Sequence, residues 1–297
     1  MDYQAKKLLE QFQCEYNREL EENFAKTLAE NERARLFFIN GNGAFTDGRN
    51  IVVDPAADEL FCDTPALEDI RKYLKWPAVV FADPWNVLRL VTRAQTIHEC
   101  LHLLYSDFPP PVTRDSLCAT KNKKKVMGQI ANIMEDCYIE AVGCSCYDNM
   151  EFYLKFGRIN HLFARHPDEG TAQKVMEPDK LEKQWKDPEK KAQEMKKMAL
   201  LLEYLNHMCT LVLYPMLEPG EPSAEVQPYV EATKELFFQG SVAPSCKERY
   251  AYAQKIFQII LPLIPDDALD IPHTKLDDLL SDPKTHEGNS SAGGEAH

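Results

Sequence analysis

The chain has 297 residues, 44% of them hydrophobic, with a formal net charge of −13 and a sequence pI near 5.1. The apolar content supports a sizeable core, and the acidic balance argues against a nucleic-acid or anionic-membrane binder, which needs clustered positive charge. No apolar run approaches the roughly eighteen residues of a membrane span, and Met1-Asp2-Tyr3-Gln4-Ala5-Lys6-Lys7 lacks the apolar core of a signal peptide, so a cytoplasmic location is expected.

Leu8, Leu9, Phe12, Tyr16, Leu20, Phe24 and Leu28 recur at helical spacing and predict a helix over residues 2–33. Next come the β-forming runs Arg35–Ile39, Ala44–Thr46 and Ile51–Val53, broken by Asn40-Gly41-Asn42-Gly43 and Asp47-Gly48, which predict strands and a hairpin. Gly41, Gly43 and Gly48 lack the spacing of a dinucleotide fingerprint and read as turn residues. A short helix is predicted over 65–75 and a short strand at Ala78–Phe81.

Asp83-Pro84 then opens a helix, free of internal Gly and Pro, that runs through Thr96-Ile97-His98-Glu99-Cys100-Leu101-His102 to Tyr105. Leu90, Ile97, Leu101 and Leu104 mark its inward face. Residues four apart share a helix face, so His98 and His102 can reach one metal ion with Glu99 beside it. This is the pattern of a zinc peptidase, in which two imidazoles and a third protein ligand hold the metal and the glutamate takes a proton from the water that the metal acidifies. HExxH is short and also arises by chance. Burying two histidines beside a glutamate nevertheless calls for partners, and a metal is one.

After a loop predicted over Asp107–Lys125, with Pro109-Pro110-Pro111 and the run Lys121-Asn122-Lys123-Lys124-Lys125, a second helix carries Asn132, Glu135, Asp136 and Glu140 in an apolar context. The lysine run reads as a solvated loop, with contact to an acidic substrate or partner as the other reading. The loop is long enough for the second helix to return beside the first. Adjacent helical residues point about 100° apart, so Glu135 and Asp136 cannot both face the metal equally. Glu135 is assigned as the third ligand; Asp136, Asn132 and Glu140 remain as outer partners or alternative ligands.

HExxH followed by Asn-x-x-Glu-Asp-x-x-Ile-Glu resembles the metallopeptidase-like domain found N-terminal to von Willebrand factor A domains in bacterial and phage proteins. Glu135–Gly143 is similar to a helix of the cobaltochelatase subunit that carries such a domain. Ala44–Val53 resembles the hairpin preceding the motif helix in these proteins, and Tyr138 stands where related chains often have arginine. The resemblance covers roughly residues 35–145. It implies a peptidase activity and, through the family's association with ring-shaped ATPases, a possible remodelling role alongside a von Willebrand factor A domain and a MoxR-type AAA+ ATPase.

Helices are further predicted over 148–165, 179–217, 223–239 and 245–263, and residues 281–297 read as a flexible linker whose end would suit a chain continuing into another domain. The nine cysteines form no CxxC pair and read as reduced thiols, with Cys144 and Cys146 taken as buried small hydrophobes. His161, His166 and His207 are isolated. The expected fold is α+β, predominantly α: a zincin-like domain over 1–165 with a small sheet, a helical extension over 166–280 packed on it, and the tail. His98, His102 and Glu135 would bind Zn2+, and Glu99 would activate water against a peptide or protein substrate. Phe45 and Thr46 would offer a strand edge to that substrate, a purely structural hairpin being the other reading. The competing function is a non-catalytic metal-binding or assembly module; a helical protein with a chance HExxH is a third.

Overall fold

A computed structural model of the chain describes residues 1–41, 43–163, 188–214, 217 and 219–266. The predicted linker 281–297, His166 and the charged start of the predicted 179–217 helix lie outside these residues. The chain folds as a predominantly helical α+β structure with one small sheet.

The N-terminal helical prediction resolves into two helices, α1 (Tyr3–Phe12) and α2 (Glu15–Leu28). Asp2 caps α1 by accepting a hydrogen bond from the Ala5 N–H at 2.8 Å. The break falls at Gln13-Cys14, where Cys14 is extended and Asn17 Nδ2 donates to the freed Phe12 carbonyl. The hydrophobic spacing continues across this break, so it carried no signal in the pattern.

Strands β1 (Arg35–Phe38), β2 (Phe45–Thr46) and β3 (Asn50–Val53) form a sheet of order β1-β3-β2, with β1 parallel and β2 antiparallel to the central β3. The β2–β3 turn is closed at Asp47-Gly48. Asp47 Oδ1 accepts from the Arg49 and Asn50 N–H groups, and Gly48 takes φ +93°, open to glycine at no steric cost.

Helix α3 (Thr64–Leu74) follows, capped by Asp63. The expected strand at Ala78–Phe81 is instead a 3-10 turn between Pro77 and Asp83. Its four residues are too few, and too close to Pro77 and Pro84, to find a sheet partner.

Two long helices carry the centre of the molecule. Helix α4 (Pro84–Tyr105) starts with Pro84 in its first turn and Asp83 accepting from the Trp85 N–H. Helix α5 (Lys121–Cys146) is capped by the Thr120 hydroxyl. The lysine run expected in the loop is therefore the first turn of α5, with Asn122 and Lys125 buried, because the α5 core face begins there. The two helices run antiparallel: His98 meets Glu140 while His102 meets Asp136.

On one side, α4 packs against α6 (Met150–Phe163) and the sheet. Gly157 of α6 faces Ala94 of α4, where an added Cβ would lie 3.3 Å from the alanine methyl. Trp76 stacks on Phe152 and Phe156 and fixes the other face of α6. On the opposite side, α7 (Pro188–Leu213), α8 (Gln227–Ser241) and α9 (Cys246–Ile260) pack on α5 around Met127, Ile130, Met134, Tyr204, Phe237 and Ile256. Helix α5 thus belongs to both halves. All nine cysteines are free; Cys144 and Cys146, at the end of α5, are exposed rather than buried. Among the described residues, no helix is long and apolar enough to cross a membrane.

Candidate metal centre

His98 and His102 project from adjacent turns of α4, with ring centroids 4.8 Å apart and planes at 86°. Facing them on α5 is Asp136. The ligand atoms of His98, His102 and Asp136 all lie within 4.8 Å of one another. Nε2 of His102 stands 3.2 Å from Asp136 Oδ1, and Nε2 of His98 stands 3.7 Å from the same oxygen. Ligand atoms held about 2.0–2.1 Å from a tetrahedral zinc are roughly 3.3 Å apart, so the spacing suits a shared ion.

The hydrogen bonds fix which nitrogens carry protons. Glu140 Oε1 lies 2.9 Å from His98 Nδ1, and an ionised carboxylate only accepts, so His98 carries its proton on Nδ1. The Ser106 hydroxyl gives its one proton to Glu135 Oε1 at 2.7 Å, so Ser106 Oγ in turn accepts from Nδ1–H of His102 at 2.9 Å. In the neutral rings both Nε2 atoms therefore carry lone pairs. Both face Asp136 Oδ1, a buried atom that accepts no hydrogen bond. Three lone pairs converging in a buried space repel one another unless a cation lies between them.

Charge points the same way. Asp136 and Glu140 share one guanidinium, that of Arg158, and a cation between them and the imidazoles would offset the remaining negative charge. Arg158, from α6, donates Nε to Glu140 Oε2 at 3.0 Å and Nη2 to Asp136 Oδ2 at 3.2 Å. Asn132 Nδ2 also donates to Asp136 Oδ2, at 3.2 Å, leaving Oδ1 directed at the histidines. Burial alone would raise the Asp136 carboxyl; His98 when protonated, together with Arg158, outweighs it and holds the group well below the usual carboxylate range. Burial lowers His98, but the negative field of Asp136 and the bond to Glu140 win, and the imidazole holds a proton more tightly than a free one in the absence of metal.

The third position of the cluster is occupied by Asp136, not by Glu135. Glu135 accepts Nε and Nη2 of Arg249 at 2.6 and 2.8 Å, an ion pair that leaves it one contact toward the histidines, through Ser106. Arg249 is itself buried, with Nη1 on the Ala243 carbonyl, Nη2 also on the Tyr105 carbonyl, and its guanidinium 4.0 Å from the centre of the Tyr138 ring. The expected roles of the two acids are exchanged: Asp136 faces the imidazoles and Glu135 orients one of them. Arg158, Arg249 and Ser106 were missed by sequence reasoning. Ser106 was open to detection, since it lies four positions after His102 at the end of α4; the arginines carry no local signal.

Glu99 is buried on α4 with 3% of its surface exposed. Thr46 is fully buried, and its hydroxyl donates to the Asn50 carbonyl while accepting from the Gly48 N–H, so it closes the hairpin turn. Phe45 is half-buried on the edge strand, and neither residue belongs to the cluster. Next to His102 lies a cavity of about 60 Å³, lined by Phe108, Pro110, Val112, Ala131, Cys246 and Tyr250 among others, with Ser106, Glu135 and Arg249 along one wall.

Compared with family models, with curated proteins and with solved structures, the chain matches none.

Proposed function

We propose that the protein is a zinc-dependent metallopeptidase of the zincin type, with His98, His102 and Asp136 as the protein ligands. The observation that carries this reading is the buried Asp136 Oδ1, which accepts no hydrogen bond and faces the two Nε2 lone pairs. Two imidazoles and one carboxylate are a donor set that suits zinc. When bound there, zinc supplies Lewis-acid polarisation of a peptide carbonyl and acidifies a water molecule.

The remaining tasks fall to the chain's own residues. Glu99, following the first histidine, takes the proton from the attacking water and passes it to the leaving amine. Glu140 and Ser106 hold the two imidazoles with their Nε2 lone pairs aimed at the cluster. Arg158 offsets the charge of Glu140 and Asp136 so that the two carboxylates can stay ionised close together.

A second reading keeps the metal but not the chemistry: a binding or assembly module working with a von Willebrand factor A domain and a MoxR-type AAA+ ATPase, as the resemblance implies. The burial of Glu99 favours it, because a proton acceptor must reach the reacting water.

Elemental analysis of wild type beside His98→Ala/His102→Ala tests the metal. About one zinc per chain, lost in the double variant, is expected. No zinc in wild type after exposure to zinc would sink the hydrolase reading. Peptide-library cleavage by wild type, reduced about 100-fold or more in a zinc-retaining Glu99→Gln variant, separates the enzyme from the assembly module. No cleavage by zinc-loaded wild type supports the module.

A further inference from the structure

Beside His102 the cavity is walled by Phe108, Pro110, Val112, Ala131, Cys246 and the ring of Tyr250. A water occupies at least about 10–15 Å³ of such space, so 60 Å³ holds roughly four water-sized atoms, the carbon count of a leucine side chain.

Of the polar groups that border the space, Asp107 is exposed to solvent, and the others are engaged elsewhere. Ser106 and Glu135 bond to each other and onward to His102 and Arg249. Arg249 also serves the carbonyls of Ala243 and Tyr105, and the Tyr250 hydroxyl donates to Asp115 at 2.8 Å. Asn132 gives its amide to Asp136. Burial pushes the Cys246 thiol up to about 11, so it stays a neutral thiol. A polar side chain entering here would leave its water partners and gain few in return, whereas an aliphatic one would lose contact with water only.

We infer that this cavity is a specificity pocket that takes an aliphatic side chain of the substrate, of about the size of valine to leucine, at a residue next to the bond held at the His98–His102–Asp136 cluster. The inference rests on the metallopeptidase reading. It adds the substrate class, because His102 forms both one corner of the cluster and part of the pocket wall. Ala131 and Cys246 set the pocket's size from α5 and α9.

The test is calorimetric titration of glycine hydroxamate and leucine hydroxamate into the full zinc-loaded chain, into Ala131→Leu and into Cys246→Leu, with zinc content and thermal stability measured on the same samples. Each buried methylene is worth roughly fourfold in affinity. Leucine hydroxamate is therefore expected to bind wild type at least about tenfold more tightly than glycine hydroxamate. Each filled variant should lose that advantage while its affinity for glycine hydroxamate stays within about twofold of wild type. Equal binding of the two probes to wild type overturns the pocket, as does an advantage that survives both substitutions. Zinc-loaded protein that binds neither probe also overturns it while leaving the metal in place. Protein that takes up no zinc brings down the reading beneath it, and the zinc content tells these failures apart.

Discussion

Arg249 grips Glu135 with two N–H···O bonds, of 2.6 and 2.8 Å, across 114 positions of sequence. The pair joins α9 to α5 and, through Ser106, to Nδ1 of His102. A residue of the C-terminal helical region therefore helps set the orientation of an imidazole on α4. Burying a guanidinium is costly unless it is paired, and Glu135 together with two carbonyl groups meets that need. With Glu135 turned to Arg249, Asp136, about 100° away around α5, faces the histidines.

The exchange of roles between the two acids has a direct consequence. Asp136→Ala should retain less than about a tenth of the wild-type zinc, whereas Glu135→Gln, which keeps the shape of the side chain, should bind zinc stoichiometrically but about 10–100-fold more weakly. Competition against a zinc-chelating dye measures both. A wild-type affinity in Asp136→Ala, with zinc lost from Glu135→Gln, would return the third position to Glu135.

Arg158 supplies the positive charge nearest to Asp136 and Glu140, so a divalent ion should partly substitute for it. Without metal, Arg158→Met should lose about 3–5 kcal/mol of stability, the cost of breaking a buried pair. Saturating zinc should then raise its melting temperature by more than it raises that of the wild type. Equal rises in the two proteins would show that Arg158 and the ion do not share a task.

Away from the cluster, Glu22 gives a pH-dependent test of the packing between α2 and β1. Burial raises its carboxyl, but bonds from Lys26 Nζ at 2.6 Å, the Leu36 N–H at 3.1 Å and Arg18 Nη1 at 3.0 Å outweigh this and lower it below 4.5. A folded value below the unfolded one means that the ionised group stabilises the fold above about pH 4.5, and that this contribution is lost as the pH falls through the folded value. Denaturant melts of Glu22→Gln should therefore lie about 1.5–3 kcal/mol below wild type at neutral pH, with the gap closing as acid protonates Glu22. A gap that does not change with pH would show that the charge is not what matters.

The sequence on its own determined the local chemistry. The spacing of His98 and His102 puts both on one helix face, the Asp83-Pro84 start and Gly-free run make that helix long, and the Asp47-Gly48 turn builds the hairpin, because each depends on residues a few positions apart. It also narrowed the third position to two adjacent acids that a helix must point in different directions. Which of them faces the histidines was decided only by the tertiary structure, through Arg158 from α6 and Arg249 from α9. The break at Cys14 and the early start of α5 were likewise hidden, since a hydrophobic period runs on across a kink and a lysine run reads the same in a loop or a helix. Pairing of buried charges is a property of the packed chain: its partners lie far apart in sequence, and the penalty for leaving them unpaired exists only once water has been excluded.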